Sequence, residues 1–352
     1  MRCSGDMMND WSKEPINRTE RYSRQMLLPE IGPDGQKLLM DSKVLVIGLG
    51  ALGGHIANNL ARAGIGHIKL VDRDVIELNN LQRQILYDED DVGRSKVMVA
   101  AEKLKKINSD IRIDAYLRDL NFSNAELMIK GTDVVVDGTD NMETRFLIND
   151  VCVKNEIPWI YAGAIGTQGM TMTIIPHDSP CLKCIIPGIP PAGSLGTCDT
   201  AGILNSVTSI VAAVESAEVI KLLLDSKNIN DGLFMIDAWT HSWEKVNVSR
   251  KNDCRCCVEH DFEFLNVKKR TMVTALCGKD VVQISPIKRS DISLDELGAK
   301  LGKVGEVEYR EFALVFKLPG FEITIFKDGR ATINGTSDEK TAKSLYSKYL
   351  GM

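Results

Sequence analysis

The stretch Val44-Leu-Val-Ile-Gly-Leu-Gly-Ala-Leu-Gly53 decides the fold. Val44 to Ile47 are consecutive apolar residues and read as a buried strand. Gly48, Gly50 and Gly53 follow in G-x-G-x-x-G spacing, and Ala51 to Arg62 reads as a helix. A strand, glycine turn and helix in this order aim backbone N–H groups and a helix N-terminus at a phosphate. The glycines serve a tight turn, close approach of backbone to phosphate, and close packing of helix on strand. A second strand, His67 to Val71, ends in Asp72, where such folds hold a ribose hydroxyl. The stretch does not choose between NAD and ATP, and a glycine-rich turn without a ligand is its plain alternative.

A length of 352 residues allows one large or two smaller domains. The apolar fraction of 44% and charged fraction of 26% are those of an ordinary globular protein. A net charge of −5 argues against a nucleic-acid or anionic-membrane surface. The longest apolar run, Ile203 to Leu224, is broken by Asn205, Glu215, Glu218 and Lys221, so no membrane span is expected. Residues 1–17 read as a loose polar leader without the apolar segment of a secretory signal, and translation starting at Met7 or Met8 is compatible with them. Nine cysteines without an export signal predict a reducing, cytoplasmic setting. There, clustered cysteines bind metal or do chemistry more often than they pair.

Outward from the opening stretch, strands and helices alternate. Glu20 to Leu28 reads as a short helix with Arg21 and Arg24 one turn apart, and a turn at Pro33-Asp-Gly leads to a helix from Gln36 to Met40. The stretch Glu77-Leu-Asn-Asn-Leu-Gln-Arg-Gln84 is too polar for core. Gly93-Arg-Ser-Lys96 opens a helix to about Lys106, and Lys96 falls in its first turn, where a cation opposes the macrodipole unless an anion meets it. Ile111 to Leu117 alternates as a half-buried strand. The buried strand Asp133 to Asp137 runs into Gly138-Thr-Asp-Asn141. Ligands of open α/β sheets bind outside the carboxyl ends of strands, so Asp140 stands where chemistry would occur, a turn-forming Asp being the plain alternative. A helix from Thr144 to Glu156, strands at Pro158–Ala162 and Met170–Ile175, an amphipathic helix from Val207 to Leu224, and strands at Leu233–Asp237 and Glu244–Val248 complete the pattern. This is an α/β protein with a Rossmann-like, doubly wound, mostly parallel sheet.

Cys181-Leu-Lys-Cys184 and Cys254-Arg-Cys-Cys257 are two C-x-x-C pairs, which suggest one tetrahedral zinc held by four thiolates. The gap between them exceeds that of a compact zinc ribbon, and Cys256 leaves open which of the second cluster bind. A thioredoxin-like role for the first pair lacks the surrounding pattern. Four protein ligands would make the site a staple without an open position. Between the pairs, Pro187 to Thr200 is a Pro/Gly-rich loop, expected to be mobile, with Cys198 just before a helix. A helix start favours a reactive thiolate; a small packed residue is the alternative.

Arg21-Tyr-Ser-Arg-Gln25, GLGALG, Leu70-Val-Asp-Arg-Asp74, Asn79-Asn-Leu-Gln-Arg-Gln84, Gly93-x-x-Lys96, Asp137-Gly-Thr-Asp-Asn141 and the two C-x-x-C pairs occur together in this order. Over residues 18–257 the chain resembles the MoeB/ThiF/HesA family, relatives of the ubiquitin-activating enzymes. The resemblance implies ATP- and magnesium-dependent adenylylation of the C-terminal glycine of a small ubiquitin-like sulfur-carrier protein ending in Gly-Gly. It implies that Gly48, Gly50 and Gly53 line the nucleotide and that Asp72 holds the ribose. Asn80, Arg83 and Lys96 would surround the triphosphate, and Asp140 would bind magnesium. Arg24 matches an arginine that reaches the ATP of the other subunit in family homodimers. Cys198 matches a cysteine proposed to link covalently to the activated partner, and a cysteine desulfurase or another donor would supply sulfur.

Two rivals remain at this level. An NAD-dependent oxidoreductase explains the glycines and Asp72 but neither the Asn80, Arg83 and Lys96 cluster nor the cysteine pairs. An inactive zinc-stapled scaffold for a ubiquitin-like partner does not explain why Arg83, Lys96 and Asp140 are all present. No G-x-x-x-x-G-K-[ST] occurs, which excludes a P-loop ATPase. Residues 258–352 read as a separate small α+β domain of unassigned role, with a helix from Leu294, a hairpin turn at Asp328-Gly329 and a final helix from Glu339 to Tyr349. Cys277 in this tail reads as a small buried apolar residue.

Overall fold

The computed structural model describes residues 20–190, 194, 196–266, 272–275, 280–286, 292–310 and 313–351. The expected leader, four positions of the Pro/Gly-rich loop (191–193 and 195) and Cys277 lie outside these residues. The first unit contains α1 (Gly32–Asp41), β1 (Lys43–Ile47), α2 (Ala51–Ala63), β2 (His67–Asp72), α3 (Lys96–Ile107), β3 (Arg112–Leu117), α4 (Ala125–Ile129), β4 (Val134–Asp137) and α5 (Met142–Lys154). It continues with β5 (Trp159–Ile165), β6 (Gln168–Ile174), α6 (Leu182–Ile185), α7 (Cys198–Ala201), α8 (Asn205–Leu223), β7 (Leu233–Asp237) and β8 (Ser242–Val246).

Its eight strands form one sheet in the order β3-β2-β1-β4-β5-β6-β7-β8. β3, β2, β1, β4 and β5 are parallel; β6, β7 and β8 add on antiparallel. Because side chains alternate along a strand, Val44 and Val46 enter one core while Leu45 and Ile47 enter the other. The first core is closed by α2, α3 and α8, the second by α4, α5 and the cysteine cluster. The chain leaves β1 for β2 on one side and returns to β4 on the other. The carboxyl ends of β1 and β4 therefore flank a crevice at the switch point.

Several boundaries differ from the sequence reading for local reasons. α1 starts at Gly32, because Pro33 sits in the first turn, where its missing N–H costs nothing. α5 starts at Met142, because the Asn141 carboxamide accepts the Thr144 N–H (2.9 Å) and caps it. Glu20 to Leu28 resolves into two 3₁₀ turns, Glu20–Tyr22 and Gln25–Leu27. β8 is exposed along its whole length, which leaves no burial pattern to set its ends.

The second unit contains β9 (Met272–Ala275), β10 (Val281–Ser285), α9 (Leu294–Leu301), β11 (Glu306–Arg310), β12 (Ala313–Leu318), β13 (Phe321–Phe326), β14 (Ala331–Asn334) and α10 (Glu339–Leu350). Its strands form a second, antiparallel sheet in the order β11-β12-β13-β14-β10-β9, with a core of its own around Phe316, Ile323, Ile325 and Tyr346. Asp328-Gly329 does turn β13 into β14, with Gly329 at φ +84°. Past residue 257 the chain still packs on the first unit: Phe264 stacks on Phe146 with ring centroids 5.1 Å apart, and its N–H donates to Asp150 (2.8 Å).

Candidate active site and metal centre

A cavity of about 410 Å³ opens at the carboxyl ends of β1 and β4. That is the size of a small-ligand site. Its floor is backbone. Gly48 follows β1 at φ +85°, and a Cβ there would stand 2.6 Å from the Gly138 carbonyl oxygen. A Cβ on Gly53 would lie 1.8 Å from the Gly48 carbonyl oxygen, so α2 can sit this close to the turn only with glycine at 53. Gly50 lines the cavity as the last residue before α2, and a Cβ there would meet only the Gln84 side chain, at 3.8 Å. The N-terminus of a thirteen-residue helix therefore opens onto the floor, where it favours an anion.

Asp72 lines the cavity at the end of β2. One of its oxygens accepts the Leu49 N–H (2.6 Å) and the other the Asp74 N–H (2.7 Å), so the carboxylate shapes the glycine turn. Burial raises its pKa; Lys96 and the two N–H donors work against that. Each carboxylate oxygen keeps acceptor capacity for a further hydroxyl. Lys96 is buried at the start of α3, and its Nζ lies 3.5 Å from Asp74. Burial pulls its pKa down, but Asp72, Asp74 and Asp140 together lift it above that of an ordinary lysine.

The opposite wall follows β4. Asp137 is fully buried and accepts the Thr139 N–H (2.9 Å), the Thr139 hydroxyl (2.6 Å) and the Arg145 Nε (3.1 Å). Arg145 also donates to the Thr139 carbonyl (2.7 Å) and lies 5.5 Å over the Tyr161 ring. These bonds fix the 138–141 loop and leave Asp140 exposed on the cavity rim. Arg83 projects from the third side. One Nη donates to the Asn79 carbonyl (2.9 Å), while its Nε is buried with no partner among the described residues. An orphaned guanidinium donor beside a helix N-terminus suits a phosphate oxygen.

Asn80 lies behind this wall, in a capping box with Glu77, whose N–H it accepts at 3.2 Å. Arg24 is exposed, donates to Ser23 (3.4 Å) and is not part of its own chain's cavity wall. Cys198 opens α7 and lines the cavity; Thr197 caps α7 by accepting the Thr200 N–H at 3.3 Å. Sequence reasoning missed Arg73, which lines the cavity and pairs with Asp119 (3.0 Å), and Arg145. The Arg in Leu70-Val-Asp-Arg-Asp74 and the Arg four residues after Asn141 are the signals that could have found them.

The second centre is made by Cys181, Cys184, Cys254 and Cys257, whose sulfur atoms all lie within 4.8 Å of one another. Sγ–Sγ distances of 4.0 Å (181–184), 3.6 Å (181–254) and 3.6 Å (184–257) match the edges of a tetrahedron with Zn–S bonds of about 2.3 Å. Cys256 is not one of the four: buried near Cys181, it accepts the Asn149 Nδ2 (3.2 Å). The four-cysteine cluster could hold zinc with all four positions filled by protein.

Residues 22–257 match the ThiF family. The chain belongs to that family. Its full-length relatives agree: it is 38% identical over 338 residues to the sulfur carrier protein ThiS adenylyltransferase of Bacillus subtilis, covering 95% of this chain and 100% of that one. It is 36% identical over 254 residues to the sulfur carrier protein adenylyltransferase of Thermus thermophilus, covering 70% of this chain and 92% of that one. The crystal structure of E. coli MccB with ATP superposes with a TM-score of 0.59 at 27% identity, covering 67% of this chain and 74% of MccB. The ThiF-family match takes in every candidate residue named for both centres, and the Bacillus relative's length takes in the second unit as well. Among the described residues no helix of this ThiF-family chain is long and apolar enough to cross a membrane.

Proposed function

We propose that this ThiF-family chain adenylylates the C-terminal glycine of a small ubiquitin-like sulfur-carrier protein ending in Gly-Gly, in the cytoplasm, using ATP and magnesium. The observation that carries the reading is the convergence of Arg83, Lys96 and Asp140 on one cavity whose floor is a glycine turn and a helix N-terminus. The carrier carboxylate attacks the α-phosphorus, a new P–O bond forms, and the bond to the bridging oxygen breaks to release pyrophosphate. The nucleophile is ionised near neutral pH, so no general base is required. What the site must supply is position and compensation for the charge that gathers on the phosphates. In this reading the turn from Gly48 to Gly53 and the start of α2 hold phosphate, and Asp72 takes ribose hydroxyls with its remaining acceptor capacity. Arg83, with Asn80 bracing its turn, and Lys96 meet the triphosphate. Asp140 would hold magnesium, which neutralises the leaving pyrophosphate. The four cysteines would hold a structural zinc.

Cys198 lies on the same cavity, and we place its role after adenylation, as nucleophile toward the acyl-adenylate with AMP leaving, or as a relay for sulfur from a cysteine desulfurase or similar donor. The test is carrier-dependent ATP–pyrophosphate exchange followed by assay of carrier thiocarboxylate. The unaltered chain should exchange; Cys198→Ala should exchange equally and fail in thiocarboxylate formation. No exchange with any Gly-Gly carrier of the organism would reject adenylylation, and normal thiocarboxylate from Cys198→Ala would reduce that cysteine to packing.

Because Arg24 is exposed and off its own cavity wall, the reading has it complete the site of a partner subunit in a homodimer. Arg24→Ala and Asp140→Ala chains, each inactive alone, should regain exchange when mixed, since one site per heterodimer recovers both residues. Verified heterodimers that stay inactive would refute the shared site.

A further inference from the structure

The second unit reaches the cavity. Ser347 and Lys348, in the last turn of α10, belong to its wall together with Gly50, Arg83 and Asp140. The Lys348 Nζ lies 3.0 Å from a carboxylate oxygen of Glu77, the residue that caps the turn carrying Asn80 and Arg83. α10 and α9 both pack against α7, and Lys300 of α9 donates to the Ser194 carbonyl (3.5 Å). The unit that sequence reading left without a role thus touches both sides of the site, the arginine turn and the Cys198 turn.

A lysine in the last turn of a helix complements the macrodipole, and that alone explains many of them. The position of this one adds something. The last turn of α10, the negative end of its macrodipole, belongs to the wall of a cavity whose floor favours an anion. A cation in the last turn reverses the sign. Lysine is a compact point charge with three donors on a flexible stem. Its ammonium meets Glu77 at the mouth of the arginine turn while the side chain lines the cavity. Its side chain is 24% exposed and Glu77's is 49%, so the pair contributes little to holding the units together.

We propose that Lys348 is a further cation of the nucleotide site, supplied by the second unit, whose ammonium contacts the terminal phosphates of ATP and the pyrophosphate that leaves. The inference rests on the adenylylation reading above. The second unit is then a working part of the adenylylation site, and chains that end at residue 257 would lack this contact.

The experiment is calorimetric titration of the full-length chain with ATP and magnesium and, separately, with AMP. Lys348→Met should weaken ATP binding about tenfold or more while leaving AMP binding unchanged, because AMP lacks the phosphates in question. Lys348→Arg should keep most of the ATP affinity. In exchange assays the Lys348→Met defect should appear mainly in KM for ATP and pyrophosphate. Equal loss for ATP and AMP makes Lys348 a structural brace and overturns the inference, as does unchanged ATP affinity in folded Lys348→Met. An unaltered chain that binds no ATP overturns the adenylylation reading itself and this inference with it, so the two failures are distinguishable.

Discussion

Asp140→Ala and Arg83→Ala should each lower carrier-dependent ATP–pyrophosphate exchange by about 10²-fold or more, with the fold intact. Asp140 is exposed, and its loop is held by Asp137, Thr139 and Arg145 rather than by its own side chain. Its loss therefore removes a ligand and spares the scaffold. Arg83 gives up one bond, to the Asn79 carbonyl, and an Nε that has no protein partner among the described residues. Both effects should fall on kcat for exchange as well as on KM, since the charge they compensate grows in the transition state. Lys96 is a worse probe. It is buried beside Asp72, Asp74 and Asp140, so Lys96→Ala would leave the buried Asp72 carboxylate uncompensated and cost stability as well as activity. Those carboxylates hold its pKa above the ordinary lysine value, so Lys96 stays charged across the neutral range and gives no pH dependence there. A folded Asp140→Ala protein that exchanges at the full rate would sink the active-site assignment.

The second large effect concerns the cysteine cluster. One zinc should be found per chain, and Cys181→Ser should lose it, together with stability on the order of several kcal/mol, because binding of a structural metal is part of the folding free energy. Cys181 and Cys184 flank the start of α6, while Cys254 and Cys257 lie beyond β8. The metal would join two segments that are far apart in sequence and close the second core where Cys181, Cys184, Cys254, Cys256 and Cys257 are all buried. Adenylylation chemistry in whatever fraction remains folded should change little. Cys256→Ser should keep the metal, since that sulfur is outside the four and accepts from Asn149. Metal analysis finding none in freshly purified, reduced protein would reject the staple.

Much of this was legible in the sequence because it is local. Strand alternation, the glycine spacing and the Asp at the end of β2 are set by neighbours within a few residues, and those elements stand within a residue or two of their expected bounds. What escaped depends on distant contacts. Arg145 matters because a carboxylate at the end of β4 and the Tyr161 ring converge on it, and no spacing announces that. α4, five residues long, is too short to show a helical period. Cys254 and Cys256 cannot be told apart by spacing; the choice is made by Asn149, more than a hundred positions away. The approach of α10 to the cavity is likewise invisible in its own residues, which describe an ordinary capped surface helix.

The contacts among Gly48, Gly53 and Gly138 have a consequence for how this site could change over time. A Cβ on any one of them would strike main-chain atoms of another. Where a new side chain collides with a neighbouring side chain, a second substitution that trims the neighbour can restore the fit. Here the obstacle is the peptide itself, and there is nothing to trim. Damage at these three positions has no nearby second-site suppressor, so the floor is closed to gradual variation. Any drift in nucleotide or partner preference has to be written on the walls, by residues such as Arg73, Arg83 and Arg145.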